Sequence, residues 1–261
     1  MEHIDFALLS GGLAAGLFLA MLAFVEIGRH VGKYRFAKRG KDSRAGVGVV
    51  DGAVFALLAL IMGFTFNGAA NRYDKRREMV AEQANAISTA WQRISFLPAQ
   101  VQPPLRAEFQ RYVEALLTAY DHPAGSAAEL RARDVLVTAE NNIWTTALGA
   151  TLDPSGEKAR MLLVPAVNQM FDAVATERMA QRLHPPLLIY VMLGLSALAA
   201  ALFAGYAMST AATRNWLYII GFTATISITS FVVIELESPR LGLIRIDSMN
   251  NVLEELRISM N

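Results

Sequence analysis

Hydroxyl side chains follow one face of an apolar segment late in this sequence. Thr223, Ser227 and Ser230 are spaced i, i+4 and i+7 within residues 216–236, so a helix places them on one face. Polar groups inside a membrane are costly, and they usually face the bundle interior or water. Two interpretations are open: the hydroxyls bond the backbone carbonyl four residues back, or they line a water-filled path.

A second candidate face follows the apolar segment 47–66 and continues past its end. Ala56, Gly63, Asn67 and Asn71 fall on one side of a helix. An amide at this depth either contributes to the lining of an ion path or joins two helices at the membrane edge. The spacing alone leaves both interpretations open.

Residues for enzymatic chemistry are missing from the sequence. There are 0 cysteines, which excludes disulfides, thiolate metal sites and thiol catalysis. The 4 histidines are scattered without metal-ligand spacing, and neither a phosphate-binding loop nor a nucleophile motif is present. We therefore predict no catalytic residue, no cofactor and no metal. The net charge of +1 argues against a nucleic-acid partner, because no basic excess is available to displace counterions.

The composition favours a membrane protein. Apolar residues make up 54% of the 261 positions and charged residues 18%, and the mean hydropathy is +0.33. Four windows are long enough to cross a bilayer. They are Phe6–Ile27, Val47–Phe66, Leu187–Met208 and Trp216–Leu236.

The segment between the second and third windows is polar but balanced, with a helical apolar pattern throughout. Tyr73, Val80, Ile87 and Ile94 recur every seven residues and predict an apolar seam on a helix that leaves the membrane without a Pro. Such a continuous helix is either a functional lever or pore wall, or a plain connection. Three further helices are predicted from apolar positions and caps. In the second extramembrane helix these positions are Leu105, Phe109, Tyr112, Val113, Leu116 and Tyr120. The third helix opens with a Ser126–Glu129 capping box and has Leu130, Val137, Trp144 and Leu148. The fourth starts at Asp153–Pro154 and has Met161, Val164, Phe171 and Val174.

The predicted fold is an all-α polytopic membrane protein with four transmembrane helices and a helical extramembrane domain inserted between the second and third spans. The predicted divisions are residues 1–68, the first two spans with their basic linker; 69–186, the helical domain; 187–236, the last two spans; and 237–261, a tail. The tail ends in a short amphipathic helix through Met249, Val252, Leu253 and Leu256.

Lysine and arginine counts predict the orientation in the membrane. The linker between the first two spans carries seven positive residues against Asp42, which places it in the cytoplasm. They are Arg29, Lys33, Arg35, Lys38, Arg39, Lys41 and Arg44. The amino terminus, the helical domain and the carboxyl terminus then lie outside the cytoplasm. A second basic cluster, Arg72, Lys75, Arg76 and Arg77, follows the second span and argues the other way.

Three stretches resemble a bacterial family of bestrophin-like membrane proteins. They are LLALIMGFTFNGAANRYDKRREMVAEQANAISTAWQRISFLP at 57–98, LLVPAVNQMFDAVATERM at 162–179 and IELESPRLGLIRID at 234–247. The resemblance implies a location in the bacterial inner membrane and a distant kinship with bestrophins, which are pentameric anion-selective channels with the second span lining the pore. It also implies a cytosolic helical domain, opposite to the orientation that the charge count predicts.

Polar residues in the first two of these stretches are predicted to form a buried structural network between the first and fourth extramembrane helices. They are Arg72, Asp74, Arg76, Asn85, Asn168, Asp172 and Arg178.

Two functions follow as hypotheses. The first is a homo-oligomeric, anion-leaning ion channel, a pentamer if the kinship holds, with lipid and small anions as partners and a wall formed by the second span and the polar face of the fourth. The alternative is a non-conducting membrane scaffold or sensor whose helical domain binds a partner protein.

Overall fold

The structure is a computed structural model that describes residues 2–39, 47–122, 125–152, 156–182, 185–211, 213–237 and 247–260. Within these residues the chain is helical and has no strand, which confirms the all-α prediction. The α-helices are α1 Glu2–Arg39, α2 Val47–Arg93, α3 Gln102–Asp121, α4 Ala127–Gly149, α5 Glu157–Arg182, α6 Leu187–Ala207, α7 Trp216–Glu237 and α8 Asp247–Ser259. Short 3₁₀ turns follow α2 and α6. The predicted Asp153–Pro154 start and the linker residues Lys41 and Arg44 lie outside the described residues.

Among the described residues, four helices are long and apolar enough to cross a membrane, as predicted. They are Phe6–Lys38, Gly48–Phe96, Leu187–Thr210 and Trp216–Glu237. Only 17% to 33% of their most apolar windows is buried inside the chain. Helices this apolar would be mostly covered in a water-soluble core, so the exposed remainder is the surface that a bilayer covers.

The second span and the first extramembrane helix form one helix, α2, which continues through Gly68 without a break. An α-helix satisfies its interior backbone donors and acceptors by itself, so it crosses the membrane edge with no change of structure. The chain divides into two compact units between Arg72 and Tyr73. The first unit contains His3–Arg72 and His184–Ser238, and the second contains Tyr73–Leu183 and Pro239–Asn261.

Helices α1 and α6 of the first unit touch backbone to backbone. A Cβ atom added to Gly205 would overlap the carbonyl oxygen of Val25, and one added to Gly28 would overlap that of Leu202. Ala201, one helical turn before Gly205, is fully buried. The small residues spaced four apart on α6 therefore do what such spacing does in membranes, which is to let two helices approach closely.

The second unit packs α3, α4, α5, α8 and the end of α2 around one apolar core. Val80, Ile87 and Ile94 of the predicted seam are buried in it. The tail belongs to this unit: Leu253 of α8 is fully buried, and the amide Nε2 of Gln110 donates to the carbonyl oxygen of Met260 at 2.9 Å.

The predicted core faces of α4 and α5 are wrong in part. Leu130 and Val137 of α4 and Met161 of α5 are exposed. The buried side of α4 consists of Ala132, Leu136, Ala139, Ile143 and Ala147. Small alanines let α4 lie close to its neighbours, so the face with the smaller side chains is the one that packs, whereas the prediction followed the larger ones. The start of α4 is as predicted: Ser126 Oγ accepts from the backbone N–H of Glu129 at 3.2 Å.

Candidate functional site

One face of α2 in the first unit is exposed along its whole span. Ala56, Gly63, Asn67 and Asn71 all lie on it, and nothing approaches within 4 Å of a Cβ built on Gly63. The opposite face is buried at Leu58, Thr65 and Ala69, which are the positions that pack against the rest of the unit. The helix therefore presents small residues, Leu60 and two amides on this face. We call the four exposed residues the α2 stripe.

The exposed amides are unusual for a surface that touches lipid. Moving an amide from water into hydrocarbon without a hydrogen bond costs about 4 kcal/mol or more. Polar side chains in membrane segments accordingly face water or other protein groups. Asn67 and Asn71 directly follow the apolar segment 47–66, so their exposure on a single chain is compatible with water, lipid headgroups or a second chain on this face.

The hydroxyl residues of α7 lie in a different environment. Thr223, Ser227 and Ser230 are all buried within the first unit. The hydroxyl of Thr223 donates to the carbonyl oxygen of Ile219 at 2.8 Å, and that of Ser230 donates to the carbonyl oxygen of Ile226 at 2.9 Å. These contacts are the backbone bonding that serine and threonine use in membrane helices. They support the first of the two interpretations of this face.

The interior of the first unit is packed. Met21 of α1 and Ala197, Ala200 and Ala201 of α6 are fully buried. Ser10 of α1 donates to the buried carboxylate of Glu235 on α7 at 2.6 Å. At these positions side chains fill the space between the helices, which favours an ion path whose wall is shared between several chains.

Arg72, a predicted network residue, forms an ion pair at the end of the spans. Its Nε donates to Oε1 of Glu237 at 2.8 Å, and its Nη2 contacts the same oxygen. Glu237 is only 5% exposed, whereas Arg72 is 36% exposed. Glu237 is not among the residues that the sequence analysis predicts. It directly follows one apolar span, and a basic cluster follows another. Together these two features could have indicated an ion pair at the end of the spans.

The other predicted network residues do not form one buried cluster. Arg76 is buried and Arg178 is partly buried, and the remaining four are exposed. Those four are Asp74, Asn85, Asn168 and Asp172. Water solvates exposed polar groups, so these four have no need of a shared network.

A different polar cluster joins the first and fourth extramembrane helices through α3. The hydroxyl oxygen of Tyr120 lies 2.9 Å from Oε1 of Gln83 on α2 and 3.0 Å from Oε2 of Glu177 on α5. Gln83 is 0% exposed and Glu177 is 2% exposed. Buried polar groups need hydrogen-bond partners, and here one hydroxyl serves two helices.

The direction of these hydrogen bonds follows from counting protons. A tyrosine hydroxyl donates one hydrogen, so it cannot donate to both Gln83 and Glu177. Nε2 of Gln83 is buried without a hydrogen-bond partner. Exchanging the oxygen and nitrogen of this amide makes Nε2 donate to Tyr120 while Tyr120 donates to the Glu177 carboxylate, so that each of the three side chains has a hydrogen bond with a consistent direction.

Two further titratable groups lie in this part of the core. Burial raises the pKa of Tyr112 well above its ordinary value, with smaller contributions from Glu140 and Tyr120 and an opposing effect of Arg178. Burial also raises the pKa of Glu140, and Arg178 opposes that rise. Unlike Tyr120, Tyr112 has a hydroxyl that is buried without a hydrogen-bond partner.

Replacing each tyrosine with phenylalanine is expected to give opposite results. Tyr120→Phe removes a hydroxyl bonded to a buried carboxylate and should lower the free energy of unfolding of the second unit by about 2 kcal/mol. Tyr112→Phe removes an unsatisfied buried hydroxyl and should leave stability unchanged or raise it. Thermal unfolding of the two purified variants measures both. Equal losses would mean that the Gln83–Tyr120–Glu177 contacts contribute nothing.

Within the described residues, histidine and carboxylate side chains form no group that could hold a metal ion. His30 Nδ1 lies 2.8 Å from the carbonyl oxygen of Glu26, and His122 Nδ1 lies 2.8 Å from that of Thr118. Both rings therefore contact their own helices.

The four apolar spans and the helical second unit define an integral membrane protein of the all-α class, with the lipid bilayer as its surroundings. A family model described as "Bestrophin-like domain" matches residues 15–250, and the chain therefore belongs to the bestrophin-like family.

The same fold is found in solved structures of a bacterial bestrophin homologue from Klebsiella pneumoniae. Two mutant forms of that protein superpose with TM-scores of 0.65 and 0.66, at 14% and 13% sequence identity. The alignments cover 93% and 95% of this chain and 98% and 97% of theirs. Likeness at this identity shows the fold. A comparison with curated proteins found no match.

Proposed function

We propose that this protein is a homo-oligomeric ion channel in which copies of α2 surround the path and the α2 stripe lines it. The observation that carries the proposal is the exposure of Asn67 and Asn71 on the membrane unit. In a ring of copies this face turns toward a central path, and the two amides at the end of the apolar segment then face its water. In such a ring a protomer needs no ion path of its own, because the path lies between the copies.

The stripe has a graded chemistry along the helix. Ala56 and Gly63 leave space, whereas Asn67 and Asn71 offer N–H donors and carbonyl acceptors to a partly dehydrated ion. Past these amides, α2 carries the exposed carboxylates Asp74 and Glu78.

Both carboxylates have a cationic neighbour on the same helix. Glu78 contacts Lys75 at 2.7 Å and Asp74 contacts Arg77 at 3.7 Å. The local charge is therefore balanced. We propose an anion preference on the kinship with bestrophins, with a pentameric ring for the same reason, and chloride as the first ion to test.

The test is chloride flux through purified protein reconstituted in liposomes. Asn67→Leu is expected to reduce the flux at least tenfold, because an apolar ring at a constriction excludes water. Asn168→Leu, which changes an exposed asparagine of the second unit in the same way, should leave the flux unchanged.

Liposomes no leakier than protein-free ones would overturn the channel and favour the scaffold. Flux of sodium in place of chloride, measured as a bi-ionic reversal potential, would overturn the anion preference and leave the channel standing. Equal loss of flux in both asparagine variants would remove the α2 stripe from the path.

The placement in the membrane is part of the proposal. We infer an inner-membrane location with the first linker in the cytoplasm, from its seven positive residues, and with both termini and the second unit outside. The tail and the inserted helices belong to one compact unit, which supports placing them on the same side. Reporter fusions at the carboxyl terminus test this; activity of a cytoplasm-only reporter would reverse the orientation.

A further inference from the structure

A cavity of about 290 Å³ opens between α1, α2 and α6 of the membrane unit. Its walls are mostly apolar, and two charged side chains of opposite sign, Arg35 and Asp51, complete them. The lining residues are Gly28, Val31, Arg35, Val50, Asp51, Leu202, Phe203 and Tyr206. The cavity lies next to the basic end of α1 and at the start of α2.

Asp51 is the unexplained group in this cavity. Its side chain is 8% exposed, and its Oδ1 atom is buried without a hydrogen-bond partner. A carboxylate buried in a membrane protein is stable when it is paired with a cation or fully hydrogen-bonded. Among the described residues, Arg35 lines the same cavity and forms no ion pair with Asp51. The site therefore has room for a cation that the described residues do not supply.

A negative and a positive group facing one cavity match a zwitterion of moderate size. An ammonium group donates hydrogen bonds to a carboxylate, and a guanidinium binds phosphate through a planar fork of N–H groups. Val31 and Val50 are partly open to the lipid-facing surface, and Leu202 and Phe203 extend the apolar wall. These walls suit a glycerol group and the first methylenes of acyl chains. Pockets between membrane helices near their basic ends are places where lipid headgroups bind.

We propose that this cavity binds the headgroup of an aminophospholipid, with its ammonium on Asp51 and its phosphate on Arg35. The primary ammonium supplies the hydrogen bonds that Oδ1 of Asp51 lacks. A trimethylammonium headgroup cannot supply them, so the site discriminates phosphatidylethanolamine from phosphatidylcholine. The inference depends on the membrane character of the first unit and is independent of ion conduction.

The first measurement uses the unaltered full chain. Short-chain phosphatidylethanolamine added to the detergent-solubilised protein should raise its melting temperature by several degrees more than phosphatidylcholine of the same chain length. Ammonium chloride and inorganic phosphate at matched concentration separate a lipid site from a simple ion site. Equal shifts with both lipids, or the full shift with either salt alone, would overturn the proposal.

The second measurement counts lipids retained by the protein after equilibration in bilayers of equal phosphatidylethanolamine and phosphatidylcholine content. Native mass spectrometry should show at least fivefold enrichment of phosphatidylethanolamine. Asp51→Asn should abolish the enrichment, and Arg35→Gln should reduce retention of both lipids.

Matched controls change side chains of the same charge outside the cavity. Asp74→Asn on α2 and Lys38→Gln on α1 alter exposed side chains and should leave the lipid ratio as in the unaltered protein. An identical lipid ratio in Asp51→Asn and the unaltered protein would show that the carboxylate does not select the headgroup.

Discussion

Replacing Gly205 with alanine is expected to lower the melting temperature of the purified protein by about 10 °C. The added methyl group would overlap the carbonyl oxygen of Val25, which belongs to the backbone of α1 and cannot rotate away. The two helices must separate, and Ala201 beside Gly205 loses its packing with them. Overpacking of this kind costs about 3 kcal/mol, and a chain of this size loses roughly 3 °C for each kcal/mol.

Gly194 of the same helix provides the matched control. Nothing lies within 4 Å of a Cβ built on Gly194, so alanine fits there without displacing a neighbour. Alanine also favours the helix by up to about 1 kcal/mol relative to glycine. Gly194→Ala should therefore leave the melting temperature unchanged or raise it. Equal losses at both positions would mean that α1 and α6 do not touch at Gly205.

The sequence contained enough information for the number and nature of the helices. Apolar length alone predicts the four spans, and the uninterrupted stretch through Gly68 predicts that α2 continues past the membrane edge. Small residues spaced four apart on α6 predict close contact at Gly205, but they do not identify α1 as the partner. Which helix packs against Gly205 depends on the shapes of both helix surfaces, and residue spacing describes only one helix at a time.

The side chains that meet in the second unit were harder to predict. Asn168 and Asp172 are polar and share a motif-like stretch, yet both are exposed. Gln83, Tyr120 and Glu177 form the buried cluster although 37 and 57 residues separate the bonded pairs. A polar residue on an otherwise apolar helix face, as Gln83 is beside Val80 and Ile87, is the local signal for such a cluster. The pairing itself requires the fold.

The two polar faces proposed from spacing differ in a way that only burial reveals. The residues of the α2 stripe are exposed, whereas Thr223 and Ser230 are buried and bonded to their own helix. Both faces have the same helical period, so spacing could not separate them. In each helix, polar groups on the packed side are buried and those on the other side stay exposed. We therefore propose the exposed face of α2 as the wall of the ion path.

Removing the guanidinium of Arg72 is expected to have the other large effect. Arg72→Ala removes a guanidinium that pairs with the buried Glu237 carboxylate, which should cost about 3 kcal/mol and lower the melting temperature by about 10 °C. Lys75→Ala breaks the Lys75–Glu78 pair three residues further along the same helix. Both side chains of this pair are exposed, so Glu78 stays solvated by water when the lysine is removed. That variant should melt at the temperature of the unaltered protein.

A second substitution separates loss of the ion pair from loss of packing. Glu237→Gln in the Arg72→Ala background replaces the buried charge with a neutral amide of the same shape, and it should restore at least half of the lost stability. In the unaltered background Glu237→Gln should cost less than Arg72→Ala, because the partly exposed guanidinium keeps access to water. If the double variant is no more stable than Arg72→Ala alone, then Arg72 stabilises the end of the spans through the packing of its methylenes, and its charge contributes little.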